Sequence, residues 1–180
     1  GKIRKFENYD VVLDSSNSSI KFFDSQDSSL DHEIVGKTEV VNFKYLSSFE
    51  VYSLSGKDYL VVLDSGTDEV VVFSKLNTSD NLSSFSYKMS IGMFSSDSLE
   101  LNSIYDIDYY DGDLFISDSY NNRILRVDAE TFNLFEQINM TRPKGIEVFE
   151  QDSVKYLVSG SLHDKIKIFS ESAGSFGLFS

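Results

Sequence analysis

Leu114-Phe115-Ile116-Ser117-Asp118-Ser119-Tyr120-Asn121-Asn122-Arg123-Ile124-Leu125-Arg126-Val127 decides the reading of this chain. An apolar run rich in β-branched and aromatic residues ends at Asp118-Ser119. A four-residue polar link follows, and a second apolar run begins at Ile124. That pattern is the signature of a β-hairpin. It recurs as Tyr9-Asp10-Val11-Val12-Leu13-Asp14-Ser15 followed by Ile20-Lys21-Phe22-Phe23, and about 50 residues later as Tyr59-Leu60-Val61-Val62-Leu63-Asp64-Ser65 followed by Val70-Val71-Val72-Phe73. A fourth copy reads Lys155-Tyr156-Leu157-Val158-Ser159-Gly160-Ser161, then Ile166-Lys167-Ile168-Phe169. Asp14, Asp64, Asp118 and Gly160 are thereby aligned as the repeat corners.

Further apolar segments flank the hairpins. Upstream lie Phe49-Glu50-Val51-Tyr52, Ile104-Tyr105-Asp106-Ile107 and Gly145-Ile146-Glu147-Val148; downstream lie Phe85 to Met89 and Leu134 to Ile138. Each complete repeat therefore holds about four antiparallel strands. No long stretch repeats apolar residues at helical spacing. The expected fold is all-β, a β-propeller of four-stranded antiparallel blades with about four blades in this chain. The approximate repeats are 1–44, 45–98, 99–140 and 141–180.

The third repeat closely resembles the NHL-repeat family of propellers, and Pro143-Lys144-Gly145-Ile146 resembles that family's opening P-x-G-I element. The likeness is partial over the second and fourth repeats. It implies a structural role for Asp118 and for Asn121 to Arg123, bracing the corner between the second and third strands. The family pattern is broken at Leu101 and Ser103, where its opening proline and glycine would stand, and at Gly160, which replaces the aspartate. NHL-like propellers commonly have more blades than four, so the resemblance implies a segment of a larger propeller or an assembly of several copies. Open sheet edges otherwise invite uncontrolled pairing.

Composition limits the chemistry. Across 180 residues, 16 Lys and Arg face 29 Asp and Glu, a formal charge of −13, which disfavours nucleic acid because phosphate must be neutralised by cations. There is no cysteine and there are two histidines, so thiolate metal sites and disulfides are excluded. Hydrophobic residues make up 41% of the chain, enough for a folded core. No apolar run is long enough to span a bilayer, and Gly1-Lys2-Ile3-Arg4-Lys5 lacks the apolar stretch of a signal peptide. Direct membrane insertion is not expected.

The densest acidic cluster is Asp106, Asp108, Asp111 and Asp113. Counted as an EF-hand from Asp106, the sixth position is Asp111 and the twelfth Ser117, where glycine and glutamate are required. A strand reading fits better, with Asp111-Gly112 turning into the next strand. Ser161-Leu162-His163-Asp164 holds the residue types of a hydrolytic triad but falls in a connection between strands, and His163 and His32 read as exposed positions. No glycine-rich phosphate loop is present. Arg123, Arg126, Arg142 and Lys144 read as ion-pair partners of acids on adjacent strands. N-x-[ST] triplets make Asn17, Asn77, Asn81 and Asn139 candidate glycosylation sites and tilt the expected location to the cell surface or outside.

These features lead to the expectation of a non-catalytic NHL-like propeller that serves as a protein-interaction or structural module, with a protein partner or self-association and no cofactor. The alternative is a calcium-dependent propeller enzyme of the lactonase or lyase type, in which a channel metal acts as Lewis acid.

Overall fold

A computed structural model describes residues 2–35, 41–78, 81–92, 100–161 and 165–179. Sixteen strands form four separate sheets among these residues, each a meander in which strands adjacent in sequence pair antiparallel. The first sheet holds β1 (Ile3–Phe6), β2 (Tyr9–Asp14), β3 (Ser19–Asp24) and β4 (Leu30–Val35). The second holds β5 (Leu46–Leu54), β6 (Lys57–Asp64), β7 (Glu69–Leu76) and β8 (Ser86–Gly92). β9 (Ile104–Tyr110), β10 (Asp113–Asp118), β11 (Arg123–Asp128) and β12 (Leu134–Asn139) make the third. β13 (Pro143–Gln151), β14 (Val154–Ser161), β15 (Ile166–Ser172) and β16 (Ser175–Leu178) make the fourth. A 3-10 turn at Leu82–Ser84 precedes β8, and no helix among the described residues is long and apolar enough to cross a membrane.

Turn chemistry explains the meanders. Two-residue hairpin loops need positive φ at both central residues if the strands are to keep their twist. Asp111 and Gly112 have φ of 48° and 85°, and Ser55 and Gly56 have 51° and 76°. At the far end of the second strand of the first three blades the link is longer and is closed by the corner aspartate, Asp14, Asp64 or Asp118.

The chain divides into two compact units, Gly1–Glu100 and Leu101–Ser180. In the first, Val11, Leu13, Ile20 and Phe22 on one side of the first sheet pack against Phe49, Val51, Leu60, Val62, Val71 and Phe73 of the second. Phe22 and Phe85 stack with ring centroids 6.0 Å apart inside this core. In the second unit, Phe115, Ile124 and Ile138 pack against Ile146, Val148, Leu157, Phe169 and Phe176. Alternation along each strand places the facing residues two apart, as a half-buried sheet requires.

The alternation also sets the fourth corner apart from the third. Phe115 faces the fourth sheet, so Asp118, three residues on, lies on the opposite side of its own sheet. In β14 it is Leu157 that faces the third sheet, and Ser159, 1% exposed, shares that side. Gly160 therefore points to the other side of its sheet from Asp118, although it holds the same place in the hairpin, pairing with Ile166 at the start of β15 as Asp118 pairs with Arg123 at the start of β11.

Candidate functional site

The corners come first because they are the most conspicuous polar positions. Asp118 is fully buried and accepts from the Asn102 backbone N–H at 2.8 Å, from Asn121 Nδ2 at 2.9 Å and from Arg123 Nε at 2.6 Å. Its carboxylate thus ties the lead into β9 to the link between β10 and β11. Asp64 does the same with the backbone N–H groups of Lys44 (2.7 Å), Tyr45 (2.8 Å) and Gly66 (2.9 Å). Asp14 accepts from Asn17 Nδ2 at 2.8 Å and from Lys21 Nζ at 2.6 Å. The bond to Lys21, then those to Asn17, hold its carboxyl down at about 2. These carboxylates are anchors whose lone pairs are already spent on donors.

The acidic cluster is spent in the same way. Within the second unit, Asp106 Oδ2 accepts the Ile146 N–H at 3.0 Å and Asp108 Oδ2 the Val148 N–H at 2.7 Å, stitching β9 to β13. Asp111 pairs with Lys155 at 2.8 Å, and Asp113 with Arg126 at 2.6 Å. Lys155 holds the Asp111 carboxyl below its ordinary range. No three acidic or imidazole side chains converge as metal ligands among the described residues. A calcium ion needs six to eight oxygen ligands, whereas these carboxylates each take N–H donors or cations, so the donor set does not fit one.

The basic residues divide into two kinds. Arg126, nearly buried, reaches Asp113, Glu171 at 2.8 Å and the Gly174 carbonyl at 3.0 Å, with the Phe135 ring 4.7 Å from its guanidinium. Burial disfavours its charge, but Asp113 and Glu171 outweigh that and raise its pKa. Arg123 pairs with Asp118. Arg142 and Lys144, expected to pair with acids, instead lie over the rings of Tyr120 at 4.1 Å and Tyr105 at 4.6 Å.

In the first unit Lys2, just before β1, and Arg4 within it converge on Glu50, each at 2.6 Å. Lys75 and Asp58 form a pair 2.5 Å apart with both side chains essentially inaccessible. Neither pair was legible from spacing, because their members lie 46 to 48 and 17 residues apart and meet only through sheet register.

A recess in the second unit has a different character. About 270 Å³ in volume, it is lined by Thr141, Ser161, Lys165 and Lys167. Lys167 pairs in register with Ser159 and so projects from the sheet side facing β12 and its exit. Ser161 N–H donates to the Lys165 carbonyl at 2.9 Å, which fixes the rim. Neither lysine stands in an ion pair among the described residues. A second, wider recess of about 480 Å³ in the first unit is lined by Lys57, Ser74, Lys75, Leu76, Ser84 and Ser86, but there Lys75 is already committed to Asp58. The sequence reading missed Lys165 and Lys167 because nothing local distinguishes a lysine at a strand start from a solvated one.

The remaining candidates are dispersed. Asn17, Asn77, Asn81 and Asn139 are all exposed. The Asn17 amide is tied to Asp14, and Asn81 Oδ1 accepts from Ser83 N–H at 2.9 Å and Ser83 Oγ at 2.7 Å as the cap of the 3-10 turn. His32 is half-buried, 6.2 Å from the Phe22 ring, where an exposed position was expected. His163 and Asp164 lie outside the described residues.

No protein-family model matches the chain, and no curated protein matches it. Solved structures do. A Phanerochaete chrysosporium exo-β-1,3-galactanase, solved with β-1,3-galactotriose, superposes with a TM-score of 0.66 at 14% identity, covering 99% of this chain and 48% of that one. A candidate 6-phosphogluconolactonase from Bacteroides uniformis gives 0.66 at 14% identity, covering 98% and 55%. A dihydro-heme d1 dehydrogenase gives 0.64 at 12% identity, covering 94% and 35%. The chain thus spans about half the length of these neighbours or less. All are propellers, and at such identity the likeness establishes the fold: the four sheets are propeller blades.

Proposed function

We propose that this chain is a four-blade segment of an enzyme-type propeller, in which the blades form the frame and the recess of Thr141, Ser161, Lys165 and Lys167 binds an anionic small molecule. The carrying observation is the contrast in how charge is used. Most cations with a defined contact are consumed by carboxylates or aromatic faces, whereas Lys165 and Lys167 border a cavity beside two hydroxyls and have no carboxylate partner among the described residues. Two ammonium groups and two hydroxyls suit a carboxylate or phosphate ester, with the overall charge of −13 selecting against large polyanions. The enzymatic part is supported by the company the fold keeps, since a glycosidase, a lactonase candidate and a dehydrogenase share it. Calcium is not part of this proposal, because the clustered carboxylates Asp106, Asp108, Asp111 and Asp113 each take an N–H donor or a cation.

The test is a titration with inorganic phosphate and with gluconate, followed by the amide signals of Ser161 and Lys167. Saturable shifts that vanish in Lys165→Gln/Lys167→Gln support the reading. Shifts that persist in that variant, or none up to about 10 mM, a range in which weak single-site binding is visible, refute it.

A second reading, the non-catalytic interaction module of NHL-like kind at a cell surface, draws support from the exposed Phe149, Ile166 and Ile168 of the fourth blade. Glycosylation at Asn17, Asn77, Asn81 or Asn139 belongs to this reading. Peptide mass spectrometry on material secreted from eukaryotic cells tests it, since unmodified asparagine at all four removes that support.

A further inference from the structure

The side of the first blade that the second leaves uncovered and the side of the fourth blade that the third leaves uncovered differ in chemistry. In both units the side of a blade that looks toward the next one is covered by it: Val11, Leu13, Ile20 and Phe22 by the second blade, Phe115, Ile124 and Ile138 by the fourth. The corresponding side of the fourth blade has no such cover among the described residues. It carries Phe149, Tyr156, Val158, Ile166 and Ile168, joined in register as Phe149↔Tyr156 and Val158↔Ile168. Ile166 is 75% exposed and Ile168 40%. Phe149, Tyr156 and Phe179 form a chain of ring contacts at 5.6 and 5.5 Å. Glu147 is the one charged residue of this side among those described. A contiguous exposed patch of this kind marks an interaction surface.

The first blade shows the opposite. Its side away from the second blade carries Ile3, Lys5, Asp10, Val12, Lys21 and Phe23 at the register positions where the second blade has Phe49, Val51, Leu60, Val62, Val71 and Phe73. Three apolar positions have become Lys5, Asp10 and Lys21. Lys5 pairs with Asp10, and Lys21 with Asp14, each at 2.6 Å. A side whose charges pair with one another offers a poor seat to an apolar face.

We propose that the outward side of the fourth blade is the seat of a fifth four-stranded blade whose approaching side is apolar, of the Val, Leu and Phe type seen on the second and fourth blades. A second copy of this chain is the poorer occupant. Its first blade would bring Lys5, Asp10 and Lys21 against Ile166 and Ile168, desolvating charges without new partners, and two chains of −13 repel. The neighbouring structures, of which this chain spans about half or less, have room for such a blade.

The chain is free of cysteine, so one introduced thiol reports on the seat. Ile168→Cys is made in the 180-residue chain, and a duplicate of residues 140–180 is appended after Ser180. The duplicate brings Ile146, Val148, Leu157, Phe169 and Phe176 as its approaching side and exposes the same outer side as the parent. A control duplicate carries Leu157→Asp and Phe169→Lys. Alkylation of the thiol is expected to slow by about tenfold or more with the duplicate and to stay at the rate of the unextended chain with the control, because protection requires a packed cover. Equal rates with both duplicates overturn the proposal. So does protection in the unextended chain that grows with protein concentration, which would make the occupant a second copy. Phosphate binding at Lys165 and Lys167 is unaffected by either result, so the two readings fail separately.

Discussion

Replacing Lys75 by methionine removes one half of the most buried ion pair described in the first unit. The Lys75 and Asp58 side chains are 1% and 0% exposed, with Nζ and Oδ2 2.5 Å apart. Ser53 Oγ donates to the other carboxylate oxygen at 2.6 Å, and the ammonium lies over the rings of Phe6 (5.9 Å) and Phe85 (5.5 Å). Breaking such a pair from one side leaves a buried charge uncompensated, which costs about 3–5 kcal/mol. For a protein of this size each kcal/mol moves Tm by roughly 2–4 °C, so Lys75→Met should melt about 6–20 °C lower. The double variant Asp58→Leu/Lys75→Met removes both charges and should recover most of the loss, since apolar replacements of buried pairs are often neutral or stabilising. Ser53 is exposed and can turn its hydroxyl to water. The assay is urea unfolding of the wild type, both single variants and the double, read as a double-mutant cycle. A cost below about 1 kcal/mol for the single change, or a double variant as unstable as the sum of the singles, refutes the reasoning.

Asp14 gives a pH prediction. Its folded pKa, about 2, lies below the ordinary 3.8, so the stability it contributes is complete above the ordinary value and is lost as pH falls from about 4 through 2. Its carboxyl signal in an NMR titration should move at about 2, and Lys21→Met should bring the midpoint up toward 3.8. Gly92 has φ of 147°, and a Cβ there would stand 2.4 Å from the Asp68 carbonyl oxygen. Gly92→Ala should therefore lower the urea midpoint by an amount equivalent to about 1–3 kcal/mol, and an unchanged midpoint contradicts the strain argument. Asp118→Ala strands the Asn102 N–H and takes the carboxylate partner from Arg123, with an expected loss of about 3 kcal/mol. Hydrogen exchange should show that loss first at Asn102 and Tyr120, which bond across this corner.

Much of the fold was legible because sheet formation here is local. The hairpin of Leu114 to Val127 and its copies combine alternation with polar links at strand-length intervals, and both signals act between residues close in sequence. The fourth corner shows the limit: the G-S and D-S pairs look alike as letters and hold the same place in their hairpins, yet Gly160 and Asp118 face opposite sides of their sheets. The candidate site was far less visible. Lys165 and Lys167 differ from Lys155 only in what register brings near them, and Lys155 meets Asp111 from 44 residues away. Arg142 and Lys144 carried the right charge for ion pairs, yet the rings of Tyr120 and Tyr105 were the nearer partners. Side-chain destinations across blades depend on register between strands that composition does not record.

Each sheet is a meander of consecutive strands, and this has a consequence for synthesis. A ribosome releases the strands of a blade in the order in which they pair, so every sheet can assemble before the next begins to emerge, without waiting for distant segments. During that interval the side destined for the following blade is bare. The side of the first blade that the second does not cover is the one bearing Lys5, Asp10 and Lys21. Of these four blades, the first to emerge is thus guarded on one flank by its own charges and sticky on the other only until roughly fifty more residues have left the exit tunnel.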